Sequence, residues 1–174
     1  MLAPAELVRD FVNTYALDAD ADADELASPA ELAVWLRERS LIGPRDRATE
    51  EDLTAALALR EVLRMGLRRE TPEMPGLLAF PLLVRVGANP DLIPVEDGVR
   101  GGLARIAAAV TDQSWHRLKV CAESMCQWAF IDSSKNRSRS WCSMRVCGNR
   151  TKTRAYRARK QGSRHLQGSN TDTV

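Results

Sequence analysis

Cysteine is absent from the first 120 residues of this chain, histidine occurs only as His116 and His165, and aromatics make up 5% of the composition. Each scarcity excludes something. With 44% hydrophobic residues but few aromatic rings, the core must be built mainly from Leu, Val and Ala. Two histidines in the second part of the sequence give no paired-histidine metal motif. No Gly-rich phosphate loop and no nucleophile elbow occurs either, so the expectation is a non-enzyme with no catalytic residues. The longest mostly apolar stretch, MPGLLAFPLLV, is too short and too proline-broken to span a bilayer, so no membrane partner is expected. The opening MLAPAELVRDFVN lacks a basic segment followed by an apolar core, so no secretory signal is expected. The expected location is cytoplasmic, associated with the nucleoid.

The net charge of +2 hides a division. Residues 1–114 hold 20 acids and 12 bases, a net of −8; residues 115–174 hold 3 acids and 13 bases, a net of +10. All four cysteines lie in the basic part. This sets a boundary near residue 114 and points the second part towards contact with nucleic acid or a membrane surface.

The acidic part reads as mainly helical. Leu7, Val8, Phe11, Val12 and Tyr15 recur at helical spacing, predicting a helix over about 4–17. DADADADE, Asp18 to Glu25, reads as a solvated loop. Ser28, Pro29 and Glu31 give an N-cap, a first helical position and a capping-box carboxylate for a helix carrying Leu32, Trp35 and Leu36. Thr49 caps a longer helix with Glu50, Glu51 and Asp52 in its first turn, near the positive dipole end. Thr71 to Gly76 is a break. Residues 82–86 and 92–95 read as strands joined by GANPD, with Arg85 facing solvent. Leu103, Ile106, Ala107 and Val110 suggest one more helix, its start blurred by Gly101-Gly102.

The cysteines follow C-x4-C-x15-C-x4-C: Cys121, Cys126, Cys142 and Cys147. Two short-spaced pairs suit tetrahedral zinc, and four sulfur ligands leave no open position, so one structural zinc ion per chain is expected. Two disulfides or free thiols are the alternative, disfavoured in a reducing compartment. RLKVC (117–121) and QWAFI (127–131) suggest a hairpin, with Trp128, Phe130 and Trp141 as a small core. Good helix formers run from Trp141 to Lys160, placing the second cysteine pair near a helix start. The fold class is therefore α+β: a mainly helical N-terminal domain with a small β-hairpin, then a treble-clef-like zinc module of knuckle, hairpin and basic helix.

Residues 121–160 resemble the CGNR-type zinc finger. The likeness rests on Cys147, Gly148, Asn149 and Arg150, together with Phe130, Asp132, Ser134, Asn136, Arg137, Trp141, Ser143, Met144 and Lys152. The preceding residues, through FVNTY, SPAELAVWL and ALREVLR, resemble the ABATE domain that commonly precedes this finger. The resemblance implies a stress-induced transcription regulator whose finger binds DNA. With the charge boundary near 114 and the polar composition after Lys160, the chain divides into an ABATE-like domain at 1–114 for sensing or dimerisation, a finger at 115–160, and a polar, disordered tail at 161–174.

On a helix from about residue 147, Arg150, Arg154 and Arg157 fall at i, i+4 and i+7, while Lys152, Arg159 and Lys160 widen the basic surface. The basic loop SSKNRSRS adds Arg137 and Arg139, and Arg145 lies between the last two cysteines. These cations suit phosphates. Asn149 and Arg150 can read base edges; Asn149 can equally bond within the module. Gly148 is expected to allow tight turning around the metal, and Asp132 to form a turn or meet an arginine. His116 is surface or packing. Expected partners are duplex DNA, a second copy in a homodimer, and a small-molecule effector at the N-terminal domain. An RNA-binding protein, favoured if Trp128 and Phe130 are exposed, and a protein-interaction module are the competing readings.

Overall fold

The computed structural model describes residues 3–15, 24–70, 78–88 and 90–167, with side chains as far as Lys160. The expected solvated stretch at 18–23, the break at 71–76, Asn89 of the turn and the last part of the tail, 168–174, lie outside the described residues.

The first helix, α1 (Pro4–Val12), has Pro at its first turn, and Glu6 accepts from the Ala3 N–H at 3.2 Å. It stops five residues short of the expected end. Asn13 leaves the helix because its side chain is taken by a distant strand, and Tyr15 instead bridges Asp24. The next, α2 (Pro29–Glu38), is capped by Ser28, whose hydroxyl accepts from the Glu31 N–H. The Glu31 carboxylate meets that same hydroxyl at 3.0 Å, so it does not close the box on the backbone. The long helix α3 (Glu50–Arg68) has the full box: Thr49 Oγ1 accepts from the Asp52 N–H, and Asp52 Oδ2 accepts from the Thr49 N–H. Strands β1 (Leu82–Arg85) and β2 (Asp91–Pro94) pair antiparallel with Leu83 opposite Ile93, and Arg85 is exposed beside Asp91 at 3.0 Å. Helix α4 (Gly98–Ala108) runs through the glycine pair. A Cβ at Gly101 would stand 2.2 Å from the Glu96 carbonyl oxygen, so close backbone approach selects glycine there.

The four helices enclose one core, with Val8, Phe11, Leu32, Leu36, Leu103 and Ile106 all but inaccessible to solvent. Trp35 meets Phe11 edge-on, ring centres 5.4 Å apart at 62°, the arrangement the ring quadrupoles favour. Two cations on α3 are buried, which the leucine pattern of that helix did not foretell. Arg60 forms a forked pair with Asp24 (2.6 and 2.7 Å) and donates to Thr14 Oγ1 at 3.1 Å. Arg64 donates to the carbonyls of Val12 and Tyr15, the end of α1. Asp24 is thus an anchor and not part of a solvated loop. Burial raises its pKa, but Arg60 and the Leu26 N–H outweigh that and hold the carboxyl below its ordinary range.

After two short 3-10 turns come β3 (Leu118–Val120) and β4 (Ala129–Ile131), antiparallel with Lys119 opposite Phe130. Strand residues alternate faces, and this hairpin uses both. Leu118 and Ala129 join the helical core; Phe130 joins a second cluster with Cys121, Cys126 and Cys147. Helix α1 packs on β4, and α3 on β3. The Asn13 amide completes the junction: its Nδ2 donates to the Ala129 carbonyl at 2.9 Å, and its Oδ1 accepts from the Ala129 N–H at 2.8 Å. A π-helical turn, Met144–Gly148, leads into α5 (Asn149–Gln167). The helix thus runs past Lys160, where the polar composition suggested that order ends; no proline interrupts it.

Candidate metal centre and basic surface

Four sulfurs converge. One Sγ from each of Cys121, Cys126, Cys142 and Cys147 lies within 4.8 Å of all the others. Cys121 and Cys126 flank the turn between β3 and β4, and the Cys121 N–H donates to the Trp128 carbonyl at 2.9 Å to close it. Cys142 precedes the π turn and Cys147 lies within it. The Sγ atoms of Cys126 and Cys142 are 3.6 Å apart, those of Cys142 and Cys147 3.7 Å. A disulfide needs about 2.05 Å, so these thiols are not bridged. Tetrahedral zinc with Zn–S near 2.3 Å requires sulfur separations of about 3.8 Å, close to the two short separations here. The donor set fits the metal: the site holds one zinc ion through four cysteines, leaving no position for substrate or water. His116 stands apart, exposed in a 3-10 turn.

Burial pushes the Cys126 thiol up to about 11, and burial with its sulfur neighbours pushes Cys142 higher still. Burial also raises Cys121, but the N–H groups of Cys142 and Glu123 outweigh it and the net shift is downward. The metal-free pocket thus opposes ionisation of Cys126 and Cys142, and a bound ion supplies the charge that lets them bind as thiolates.

The two acids of the module that fall among the described residues are both buried. Asp132 is fully inaccessible; it pairs with Lys119 at 2.7 Å and accepts from the N–H groups of Ser134 and Arg139, each at 3.0 Å. The hydrogen bond from Lys119 leads the effects that hold this carboxyl well below the usual carboxylate range. Asp132 is a turn former, as expected, with a lysine in place of an arginine as its ion partner. Glu123 is 1% exposed and accepts from Thr151 Oγ1 at 2.7 Å and Arg154 Nη2 at 2.9 Å, both on α5. Sequence reasoning passed over Glu123, although an acid between two ligand cysteines of a basic segment was itself a signal.

The cations named from sequence are all exposed, but they differ in what they touch. Arg139 lies over the Phe130 ring at 4.9 Å and donates to the carbonyls of Trp141 and Cys142. Arg154 is held by Glu123, and Asn149 donates to the Arg145 carbonyl one turn back at 3.0 Å. Arg137, at a positive φ of 49°, offers only its backbone to its neighbours. The side chains of Arg137, Arg145, Arg150, Lys152, Arg157 and Lys160 make no hydrogen bond or ion pair among the described residues. Arg159 also faces solvent. Two expectations are corrected. Trp128 is 40% exposed and does not join Phe130 and Trp141 in the small core, because it precedes β4 and its side chain escapes the sulfur side. Gly148 has no left-handed φ; a Cβ there would meet the Met144 side chain at 2.4 Å, so side-chain crowding and not turning marks the position.

The family models agree with this geometry. Residues 5–125 match ABATE, described as "Putative stress-induced transcription regulator", and residues 117–160 match the CGNR zinc finger. The chain belongs to the ABATE family. Its two matches overlap at 117–125, which is β3 and the first cysteine, the stretch that serves both hydrophobic clusters. No curated protein sequence matches the chain. No helix among the described residues is long and apolar enough to cross a membrane.

Proposed function

We propose that this ABATE-family protein is a DNA-binding transcription regulator of the stress response. Its zinc is structural and sets α5 on duplex DNA, where Arg150, Lys152, Arg157, Arg159 and Lys160 neutralise phosphates, with Arg137 and Arg145 alongside. One observation carries this reading: α5 extends from the metal knuckle with its cations in solvent, while the two acids near it among the described residues are buried, Asp132 paired with Lys119 and Glu123 with Arg154 alone of the helix cations. Binding of this kind weakens as salt rises, because each phosphate contact releases a counterion. A single helix makes few contacts, so the protein binds as a homodimer or with a partner. The helical body provides that contact or responds to a small-molecule effector, and the protein acts in the cytoplasm on the nucleoid. On this reading the metal has no catalytic role, since four sulfurs close its coordination.

Selection of bound duplexes from a random pool, with zinc quantified on the same sample, tests this. Enrichment of a motif that Arg150→Glu with Arg157→Glu abolishes, at unchanged zinc content, supports it. Undiminished DNA affinity in that double variant refutes α5 as the contact surface. The exposure of Trp128 favours a second reading, single-stranded RNA stacked on that ring. Competition between duplex DNA and single-stranded RNA separates the two, and Trp128→Ala weakens only RNA binding.

A further inference from the structure

Helix α5 has little to hold it in place. Over residues 149–160 only Thr151 is part-covered; every other side chain is exposed. It follows directly from the π turn, a rare geometry that recurs at functional sites. A helix joined to its module at one end keeps a fixed direction only if something besides the chain connection holds it.

Glu123 is that connection. It sits in the turn between Cys121 and Cys126, 1% exposed, far in sequence from the chain entry to α5. Its backbone oxygen accepts the N–H groups of Cys126 (2.9 Å) and Gln127 (3.2 Å), which fixes the carboxylate's root. One carboxylate oxygen takes the Thr151 hydroxyl at 2.7 Å, and the other takes Arg154 Nη2 at 2.9 Å. The Thr151 hydroxyl also lies 3.0 Å from the Cys147 carbonyl, but it has one proton, and the shorter contact to a charged acceptor takes it. Thr151 and Arg154 are three residues apart and so share a helix face. Two contacts on one face, one turn apart, fix both the tilt of the helix and its rotation about its own axis.

We infer that Glu123 is the positioning residue for the basic helix, and that Arg154 belongs to this latch and not to the phosphate-contacting set. With the face of Thr151 and Arg154 turned to the knuckle, Arg150 and Arg157, seven residues apart and within about 20° of each other, point along one flank. Lys152 and Lys160 are left on the faces turned away. The inference deepens the DNA-binding reading and rests on it for its functional consequence, while the latch itself is testable without nucleic acid.

The test measures backbone amide dipolar couplings of the zinc-loaded full chain in a weakly aligning medium, and duplex affinity against salt. In the native protein the couplings of residues 151–160 fit the same alignment as the helical body. Glu123→Ala, which loses both contacts, shrinks them by about a third, the fall from rigid to flexible backbone, and Arg154→Ala, which keeps the Thr151 contact, shrinks them by less. The double variant shrinks them no further than Glu123→Ala alone, because that change already removes the Arg154 contact. Glu123→Gln, which keeps the acceptor for Thr151, retains most of the coupling. Arg154→Ala weakens duplex binding about five- to tenfold, as if the competent direction were occupied a tenth to a fifth of the time. Its salt dependence keeps the native slope, whereas Arg157→Ala lowers the slope by about 0.9. Native couplings in Glu123→Ala at one zinc per chain would overturn the latch, and so would a slope lowered by Arg154→Ala. Should Glu123→Ala lose its metal, Arg154→Ala and Thr151→Val, both on the helix, decide alone. If the native protein binds no duplex, the DNA reading falls while the couplings still decide the latch.

Discussion

Replacing Asn13 by Ala breaks a side-chain bridge that ties the end of α1 to the backbone of the metal-bearing hairpin. Asn13 is 9% exposed and Ala129 is 1% exposed, so water cannot readily replace the amide. The substitution removes two hydrogen bonds of 2.8 and 2.9 Å and leaves the Ala129 N–H and C=O both buried and unpaired. Each orphaned group costs about 1–3 kcal/mol, so the loss is about 2–6 kcal/mol. For a chain of this size about 2–4 °C of Tm goes with each kcal/mol; a loss of about 3 kcal/mol lowers Tm by about 6–12 °C. The effect reaches the metal, because Ala129 follows Trp128, whose carbonyl accepts the Cys121 N–H. Zinc extraction by a competing chelator is therefore faster in the variant. Asn13→Asp keeps an acceptor for the Ala129 N–H but sets a carboxylate against the Ala129 carbonyl, and is no better than Ala. Thermal melting by circular dichroism, with zinc quantified before and after, makes the measurement. A Tm shift below about 2 °C would refute the argument, since it corresponds to less than about 1 kcal/mol for a buried double hydrogen bond.

Three further outcomes are expected. Cys126→Ser binds no zinc at stoichiometric concentration, because a hydroxyl is not a thiolate; one retained ion per chain, read by elemental analysis, contradicts the four-sulfur site. Zinc affinity of the native protein rises with pH between about 6.5 and 8.5, since the thiols of Cys126 and Cys142 sit above their ordinary pKa without metal and must lose protons to bind it. Those raised thiols also stabilise the metal-free fold below the unfolded thiol pKa of about 8.5, a contribution lost as pH climbs through the folded value. A pH-independent chelator competition would show that no proton is displaced. Gly101→Ala costs about 1–3 kcal/mol, because its Cβ would fall 2.2 Å from a backbone oxygen that cannot swing aside; unaltered urea unfolding would mean that α4 shifts freely.

Much of this protein is local, and the local part is legible from residues. Ser28 and Thr49 announce their helices because a cap acts within three residues. The cysteine spacing announces the metal because each pair lies on one short loop, and zinc chemistry accepts few other donor sets. The charge division near residue 114 is likewise plain in the sequence, and it points to the helix that carries the cations. Residue 114 lies close to the point where the chain turns into the hairpin, but no sequence pattern says that this hairpin packs against the helices.

Contacts across long separations were decided by the tertiary structure. Asn13 reads as one more residue of α1 until a strand 116 residues away takes its amide. Arg60 and Arg64 look like ordinary solvated positions of α3, and only packing against α1 and Asp24 makes them buried anchors. Trp128 and Phe130 read as equivalent in a two-residue repeat, yet one is covered by the sulfurs and the other is not. Arg154 and Arg157 are alike in sequence; the buried carboxylate of Glu123 separates them. The sequence by itself determined which segments form helices, where the zinc sits and where the positive charge gathers, since these depend on spacings of a few residues. The fold decided which cations remain available and how the metal module is joined to the helical body, since a buried polar group takes whatever partner the packing brings within hydrogen-bond reach.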